Sequence, residues 1–199
     1  TEKAASILEK HYPNETMISP NIHYMQIMAS GEEISMTHHR ASTKKLKYGE
    51  PVFLCFCGMT NFNRFKLGFD RTFWLGKISD TSQESIYETA LESQSAAIAM
   101  LKPGVRAEEV HQAYAEVIQS KGYDFPFRCG RATGYSFVEF PQLAPGDETK
   151  LEPGMVFAVD GSITAPTGFR AQVGDSFIIT KTGYEQITIH PKETSKIII

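Results

Sequence analysis

The sequence predicts an α+β fold built on a mixed, mostly antiparallel sheet. Two observations predict this class. Two helical patterns follow each other directly, over residues 81–101 and 110–118. The strand patterns after residue 130 also follow each other, and the last two are joined by the short turn Thr182-Gly183. Strands joined by tight turns pair antiparallel, so a doubly wound parallel sheet is disfavoured.

The first part of the chain shows short elements separated by turns. Apolar spacing predicts a helix near residues 4–12, and the capping pattern Thr81 to Glu84 predicts the start of the first long helix. Pro103-Gly104 ends that helix, and Gly122 closes the next one. The other predictions are extended chain at 17–28, a polar loop at 31–40, strands at 52–56 and 69–75, and a hairpin tip at 58–66.

The second part of the chain is dominated by strand patterns. They span residues 131–137, 155–160, 169–172, 176–180 and 185–189. The segment from Cys129 to Asp160 places polar residues at intervals on otherwise apolar ribbons. Such polar positions on a buried sheet are candidates for a functional site.

Composition narrows the class of protein. The 199 residues predict one domain over 1–199, and 41% hydrophobic with 22% charged residues is typical of a globular protein. A net charge of −3 favours neither nucleic acid nor an anionic membrane as a partner. No apolar run approaches the roughly 20 residues that span a bilayer. Cys55, Cys57 and Cys129 are read as reduced core thiols of a cytoplasmic protein.

Five motifs, in order, resemble those of the pita-bread superfamily, which includes methionine aminopeptidase, aminopeptidase P, prolidase and creatinase. The resemblance implies a curved sheet covered by helices, and it covers nearly the whole chain from about Ser30. It also implies a missing amino-terminal domain, so we expect the chain to be part of a longer two-domain protein. The motifs are Gly49-Glu50 with Arg71-Thr72-Phe73, Lys102–Val105, Gly130-x-x-x-Gly134 with Glu139-x-Pro141, Leu151–Phe157, and Asp175–Thr180.

The resemblance also identifies which positions hold metal ions in the peptidase members. Those members use two Asp, one His and two Glu side chains. At the matching positions this chain has Cys55 or its neighbour, Gly68, Arg131, Asp160, and Gly174 or Val173. Only one of these five positions carries a carboxylate, Asp160, and another carries the cationic Arg131. We therefore predict no metal site and no cofactor.

Creatinase is the member of the superfamily that works without metal, through a His acid/base and carboxylates that bind a cationic group. Its His precedes a strand-opening Gly by 11 residues, as His38 precedes Gly49 here. One creatinase carboxylate stands directly before the Arg-Thr pair, where this chain has Asp70. His38 is therefore the candidate acid/base, although a solvent-facing loop His is the alternative. Asp70 is a candidate substrate ligand, or else a salt-bridge partner of Arg71 or Arg64.

Arg131 and Asp160 have two open interpretations. Arg131 is a candidate clamp for a substrate carboxylate or an oxyanion, with Asp160 contacting substrate. Alternatively, the two residues form a charge-paired core that replaces the metals and has no activity.

Four further residues complete the candidate set. Glu139 matches a carboxylate that peptidases use near the scissile bond, and its alternative is a surface Glu. His39, Arg170 and Gln172 are candidates for substrate binding in the same cavity.

The function predicted from these residues is metal-independent hydrolysis of a small C–N compound such as an amidine, a guanidino compound or a cyclic amide. The alternative is a catalytically inactive, peptidase-like domain that binds a peptide. An Xaa-Pro peptidase with unusual metal ligands is a third hypothesis. We expect a small-molecule or peptide ligand and a homodimer.

Overall fold

The computed structural model describes residues 15–16, 27–36, 38–39, 42–56, 59–61 and 65–199. The helix predicted near residues 4–12 and most of the extended segment 17–28 lie outside the described residues. The protein is organised around one large sheet with two long helices, as predicted.

Seven strands of the large sheet lie side by side in the order β2-β3-β6-β10-β9-β7-β8, and β11 pairs with β10. All these pairings are antiparallel. A second, small sheet has the order β1-β4-β5. The strands are β1 (Glu15–Thr16), β2 (Ile27–Ser30), β3 (Pro51–Cys55), β4 (Met59–Asn61), β5 (Lys66–Leu67), β6 (Asp70–Trp74), β7 (Gly130–Ala132), β8 (Glu139–Leu143), β9 (Val156–Thr164), β10 (Arg170–Ile179) and β11 (Tyr184–Gln186).

Helices α1 (Thr81–Ala99) and α2 (Ala107–Ser120) pack against one face of the sheet. Gly161 of β9 permits this contact, because a Cβ there would collide with the carbonyl oxygen of Ala90 in α1. The Tyr114 hydroxyl of α2 donates to the carbonyl of Ser162 and accepts from its amide, at 2.9 and 3.1 Å. These bonds fix α2 to β9, and Gln94 of α1 donates to the carbonyl of Val159 at 3.0 Å, so the other face of β9 is left for a site.

A buried ion pair strengthens the helix side. The Arg71 Nη2 atom lies 2.8 Å from the Asp175 Oδ1 atom, and both side chains are fully buried. Arg71 also donates to the carbonyls of Gly174 and His190, at 2.7 and 2.6 Å. Gln94 of α1 donates to the other Asp175 oxygen at 3.2 Å. The network joins β6, β10, α1 and the segment after β11.

Several local predictions need correction. Asp80 rather than Thr81 caps α1, since its side chain accepts the Ser82 amide at 2.9 Å. The predicted strand 131–137 ends at Ala132, because the amide of Gly134 turns back to Ser136. The polar loop at 31–40 contains a 3₁₀ helix, Gly31–Ser35. The prediction of three reduced thiols is wrong for Cys55, which is disulfide-bonded; Cys129 is a free, buried thiol.

The two strands predicted at 169–172 and 176–180 are one continuous strand, β10. The prediction left Val173-Gly174-Asp175 outside both strands, and Gly in a strand interior is often unfavourable. Gly174 instead serves packing: a Cβ at this position would collide with two carboxylates on the neighbouring strands.

Candidate active site

The candidate site lies on the face of the sheet opposite the helices. Gly174 of β10 pairs with Asp70 of β6 on one side and with Asp160 of β9 on the other. Directly paired residues project to the same face of an antiparallel sheet. Because side chains alternate along a strand, Arg170 and Gln172 share the face of Gly174. The strand order therefore assembles residues separated by a hundred positions in sequence.

Arg131 and Asp160 form the ion pair that was one of the two interpretations. The Arg131 Nη1 atom lies 3.0 Å from the Asp160 Oδ2 atom, with side-chain exposures of 4% and 18%. The Arg131 Nε group donates to the carbonyl of Phe137 at 3.3 Å. The guanidinium also lies over the Phe137 ring, 4.2 Å from its centroid. The cation is thus held by a charge, a carbonyl and an aromatic face.

Asp70 is buried at the centre of the site. Its Oδ2 atom accepts a hydrogen bond from the Gln172 side-chain amide at 3.1 Å. Arg170 in turn donates to the Gln172 side-chain oxygen and lies 4.9 Å from the centroid of the Phe53 ring. Burial raises the pKa of Asp70 well above its usual value, and the nearby Asp160 charge raises it further.

The predicted alternative for Asp70, a salt bridge with Arg71, is not what the structure has. The Arg71 side chain reaches only the backbone carbonyl of Asp70, at 2.8 Å, and pairs with Asp175 on the helix side. Adjacent residues in a strand project to opposite faces. Arg64, the other proposed partner, lies outside the described residues.

Three buried polar atoms of the site have no hydrogen-bond partner within the described part of the chain. They are Asp70 Oδ1, Asp160 Oδ1 and Arg170 Nη1. Buried polar atoms without partners are rare in folded proteins because desolvation is then uncompensated. Two acceptors and one donor on the same sheet face are the chemistry expected of a site that takes a polar ligand.

The positions equated above with metal ligands do converge. A Cβ on Gly68 would lie 3.3 Å from Arg131 Nη2, and one on Gly174 would collide with Asp160. The geometry selects Gly174 over Val173, because Val173 pairs with Gly161, whose face is covered by α1.

The residues at these positions do not suit a divalent metal ion. The two glycines offer no side-chain donor, and the Arg131 guanidinium occupies the space between Gly68 and Asp160. Among the described residues, no group of three His, Cys, Asp or Glu is arranged to hold a metal. Divalent cations require several anionic or imidazole donors. No catalytic step is therefore assigned to a metal.

The remaining predicted site residues have other surroundings. His38 is exposed, in a left-handed backbone conformation with φ 63°, and its side chain makes no hydrogen bond within the described residues. The His39 Nδ1 atom lies 2.9 Å from the carbonyl oxygen of Met28, and its Nε2 lies 3.6 Å from Glu33. Glu139 accepts the Ser136 amide at 2.7 Å and so closes the turn before β8.

Two site features were missed by sequence reasoning. Phe53 supports Arg170, and Gly174 makes room for the carboxylates. The alternation of Arg170, Gln172 and Gly174 with apolar residues was a usable signal, since it marks one polar face on a buried strand.

The fold and these positions define a domain of the pita-bread class, and comparison identifies its family. The chain belongs to metallopeptidase family M24, whose model matches residues 1–181. The crystal structure of the prolidase from Pyrococcus horikoshii OT3 superposes with a TM-score of 0.79 at 28% identity, over 86% of this chain and 49% of that one. The predicted superfamily and fold class are confirmed.

Two curated relatives carry names of different kinds. An agropine synthesis cyclase of Rhizobium rhizogenes is 33% identical over 170 residues, covering 83% of this chain and 43% of that protein. An Xaa-Pro dipeptidase of Pyrococcus furiosus is 30% identical over 169 residues, covering 84% of this chain and 48% of that protein. The chain therefore spans about half the length of the curated relatives it matches.

Proposed function

We propose that this chain is the catalytic-type domain of a metal-independent hydrolase that cleaves a C–N bond in a small compound. An amidine, a guanidino compound or a cyclic amide has the required chemistry. Asp70 and Asp160 contact the substrate, Arg131 holds an anionic group or a developing oxyanion, and an acid/base group, for which His38 is the candidate from the sequence, transfers the protons. His39, Arg170, Gln172 and Glu139 complete the candidate site.

The observation that carries this proposal is the set of unpartnered buried atoms on Asp70, Asp160 and Arg170. A core that had only lost its metals would be expected to satisfy or remove such groups, because each one costs free energy when the site is empty. A substrate with N–H donors for the carboxylates and an acceptor for Arg170 would satisfy all three. The name of one relative, agropine synthesis cyclase, also favours small-molecule chemistry over peptide cleavage.

The test is a turnover assay on a panel of small amides, cyclic amidines and guanidino compounds, with product amine measured in the presence of a chelator. We expect chelator-resistant turnover that falls at least ~100-fold in Asp160→Asn, since the carboxylate contacts substrate. Asp124→Asn, an exposed Asp outside the site, is the matched control. Unchanged turnover in His38→Ala would show that His38 is not the acid/base.

A second candidate function is a catalytically inactive domain that binds a peptide. Arg131 favours it, since the guanidinium is already held by Asp160 and by Phe137. The same panel separates the two: saturable binding of a substrate-like compound without any turnover supports the inactive domain.

A peptidase that uses unusual metal ligands is the third candidate. It requires about two equivalents of a divalent transition metal in protein purified without chelator. Metal analysis at this level, together with Xaa-Pro cleavage, would replace the proposal above.

Location and assembly are part of the proposal. No helix in the described part of the chain is long and apolar enough to cross a bilayer. A cytoplasmic location, a homodimer, and the absence of nucleic-acid and membrane partners remain predictions. Size-exclusion chromatography with light scattering measures the assembly state directly.

A further inference from the structure

Asp70 and Asp160 converge on one point of the sheet because Gly174 lies between them. A Cβ on Gly174 would collide with Asp70 Oδ2 and with Asp160 Oδ1, so the two carboxyl groups fill the space on either side of that position. The register supports the same conclusion, since Gly174 pairs with both residues. Two acidic side chains from different strands therefore face each other across a residue that has no side chain.

The hydrogen bonds around the Asp70–Asp160 pair leave carboxyl oxygens without a donor. The Asp70 side chain is fully buried and accepts only from Gln172, through Oδ2. Asp160 binds Arg131 through Oδ2, and its Oδ1, which lies beside Gly174 as Asp70 Oδ2 does, has no hydrogen-bond partner among the described residues. Two ionised carboxylates in this arrangement would repel each other with little water to screen the charges. A proton held between them removes the repulsion and supplies a donor to an unpartnered oxygen.

We propose that Asp70 and Asp160 share a single proton in the resting state and that this pair, rather than His38, carries the proton transfers of the reaction. The assignment of the reaction rests on the function proposed above, whereas the shared proton does not. Asp70 holds the proton and Asp160 the charge, because Asp160 has the guanidinium partner.

The charges around the pair are consistent with a protonated Asp70 and an ionised Asp160. Burial is the main cause that raises the pKa of Asp70, and Asp160 is the next. Arg71, Arg170 and Arg131 oppose the shift, and the shift remains upward in spite of all three cations. On the helix side, Asp175 is paired with Arg71 and Lys192. Burial raises the pKa of the Tyr87 and Tyr114 hydroxyls and of the Cys129 thiol beside Asp160, so the thiol stays neutral. Both tyrosines are therefore neutral at the pH of the reaction.

The Asp70–Asp160 pair accounts for hydrolysis of a C–N bond, with a donor and an acceptor for each proton that moves. The Asp160 carboxylate takes a proton from water as the water oxygen bonds to the substrate carbon. The C–N bond breaks, its electron pair stays on nitrogen, and that nitrogen takes the Asp70 proton. Asp160 is then protonated and Asp70 ionised, and one proton passes from Asp160 to Asp70 to restore the resting pair. No oxidant, metal or cofactor is needed.

The direct experiment is carbon-13 NMR of protein labelled at its Asp carboxyl carbons, titrated from acid to alkaline pH. We expect one Asp carboxyl to stay protonated well above the ordinary range of Asp. Its signal disappears in Asp70→Asn, and its titration moves to lower pH in Asp160→Asn, which removes the neighbouring charge. Asp124→Asn leaves it unchanged. If every Asp titrates in the ordinary range in the unmodified protein, there is no shared proton, whether or not the variants fold.

The pH dependence of turnover separates this pair from His38. A protonated Asp70 that acts as general acid makes kcat/KM fall as pH rises through the NMR midpoint. A His38 general base makes kcat/KM fall as pH decreases through the ordinary range of His, and a fall in that range that is lost in His38→Ala would overturn the catalytic part of the proposal. A shared proton without turnover of any compound supports the pair and contradicts the proposed function, so the two failures are distinguishable.

Discussion

Arg131→Met tests whether the Arg131–Asp160 ion pair stabilises the domain. The change removes the 3.0 Å contact with Asp160, the 3.3 Å bond to the Phe137 carbonyl and the stacking on the Phe137 ring. Breaking one side of a buried ion pair costs about 3–5 kcal/mol, chiefly because the remaining charge stays buried and unpaired. Asp160 is 18% exposed, so water offsets part of that cost. We expect a loss of about 3 kcal/mol in the free energy of unfolding.

The assay is urea unfolding at neutral pH for the single variants and for Arg131→Met with Asp160→Asn. The double variant should recover about 1–2 kcal/mol relative to the sum of the single variants, because the unpaired charge is gone. Lys121→Met is the matched control: Lys121 pairs with Glu92 at 3.2 Å, but both side chains are about half exposed. Its cost should stay within about 1 kcal/mol. Strict additivity, or a loss for Arg131→Met no larger than the control, would refute the reasoning.

Three further measurements follow from the same geometry. Gly174→Ala should cost about 1–3 kcal/mol of unfolding free energy, because its Cβ collides with two carboxylates; Gly183→Ala, which meets no atom within 4 Å, should change the urea midpoint little. Arg71→Met should cost about 3 kcal/mol, because fully buried Asp175 loses its 2.8 Å ion pair and keeps only the 3.4 Å contact with Lys192; a smaller loss than for Lys121→Met would contradict it. Asp70→Asn should gain stability relative to the unmodified protein by about 1.4 kcal/mol per pH unit as pH rises from the ordinary Asp pKa to the raised one. The sign follows because the folded state binds a proton that the unfolded state releases in that window. Unfolding curves near pH 5, 6 and 7 check it, and a pH-independent difference would contradict it.

Most of the fold was predictable because its signals are local. The apolar run before Phe56, the two helical patterns and the turn at Thr182-Gly183 each fix an element through neighbouring residues. The predicted interruption of β10 failed for a non-local reason. Gly174 is explained by Asp70 and Asp160, which lie far away in sequence, and single-strand propensity contains no information about such partners.

The sequence predicted which positions form the site, but not which contacts their side chains make. The family pattern placed Arg131, Asp160 and Asp70 at one location, and the strand register brings them together. The pairing of Asp70 was not predictable, because sequence proximity to Arg71 suggested a bond that the alternation of strand side chains prevents. The environment of His38 depends on loop conformation, which the motif spacing did not specify.

The substitutions at the former ligand positions depend on one another. Position 68 requires a residue without a side chain mainly because of β9, since a Cβ there would collide with Ala158, and it would also lie 3.3 Å from the Arg131 guanidinium. The paired carboxyl groups likewise require glycine at 174. Restoring one ligand at a time, as in Gly68→Asp or Gly174→Glu, would therefore place an acidic side chain in occupied space before any metal could bind. We expect each single restoration to lower the urea midpoint without adding metal affinity. Gly68→Asp combined with Arg131→His should recover only part of the loss caused by Gly68→Asp, because the guanidinium is then absent but the collision with Ala158 remains. If Gly68→Asp alone bound a divalent ion by calorimetry and kept its stability, the space at position 68 would not be closed by Ala158 and Arg131, and the site would be closer to a metallopeptidase than its side chains indicate.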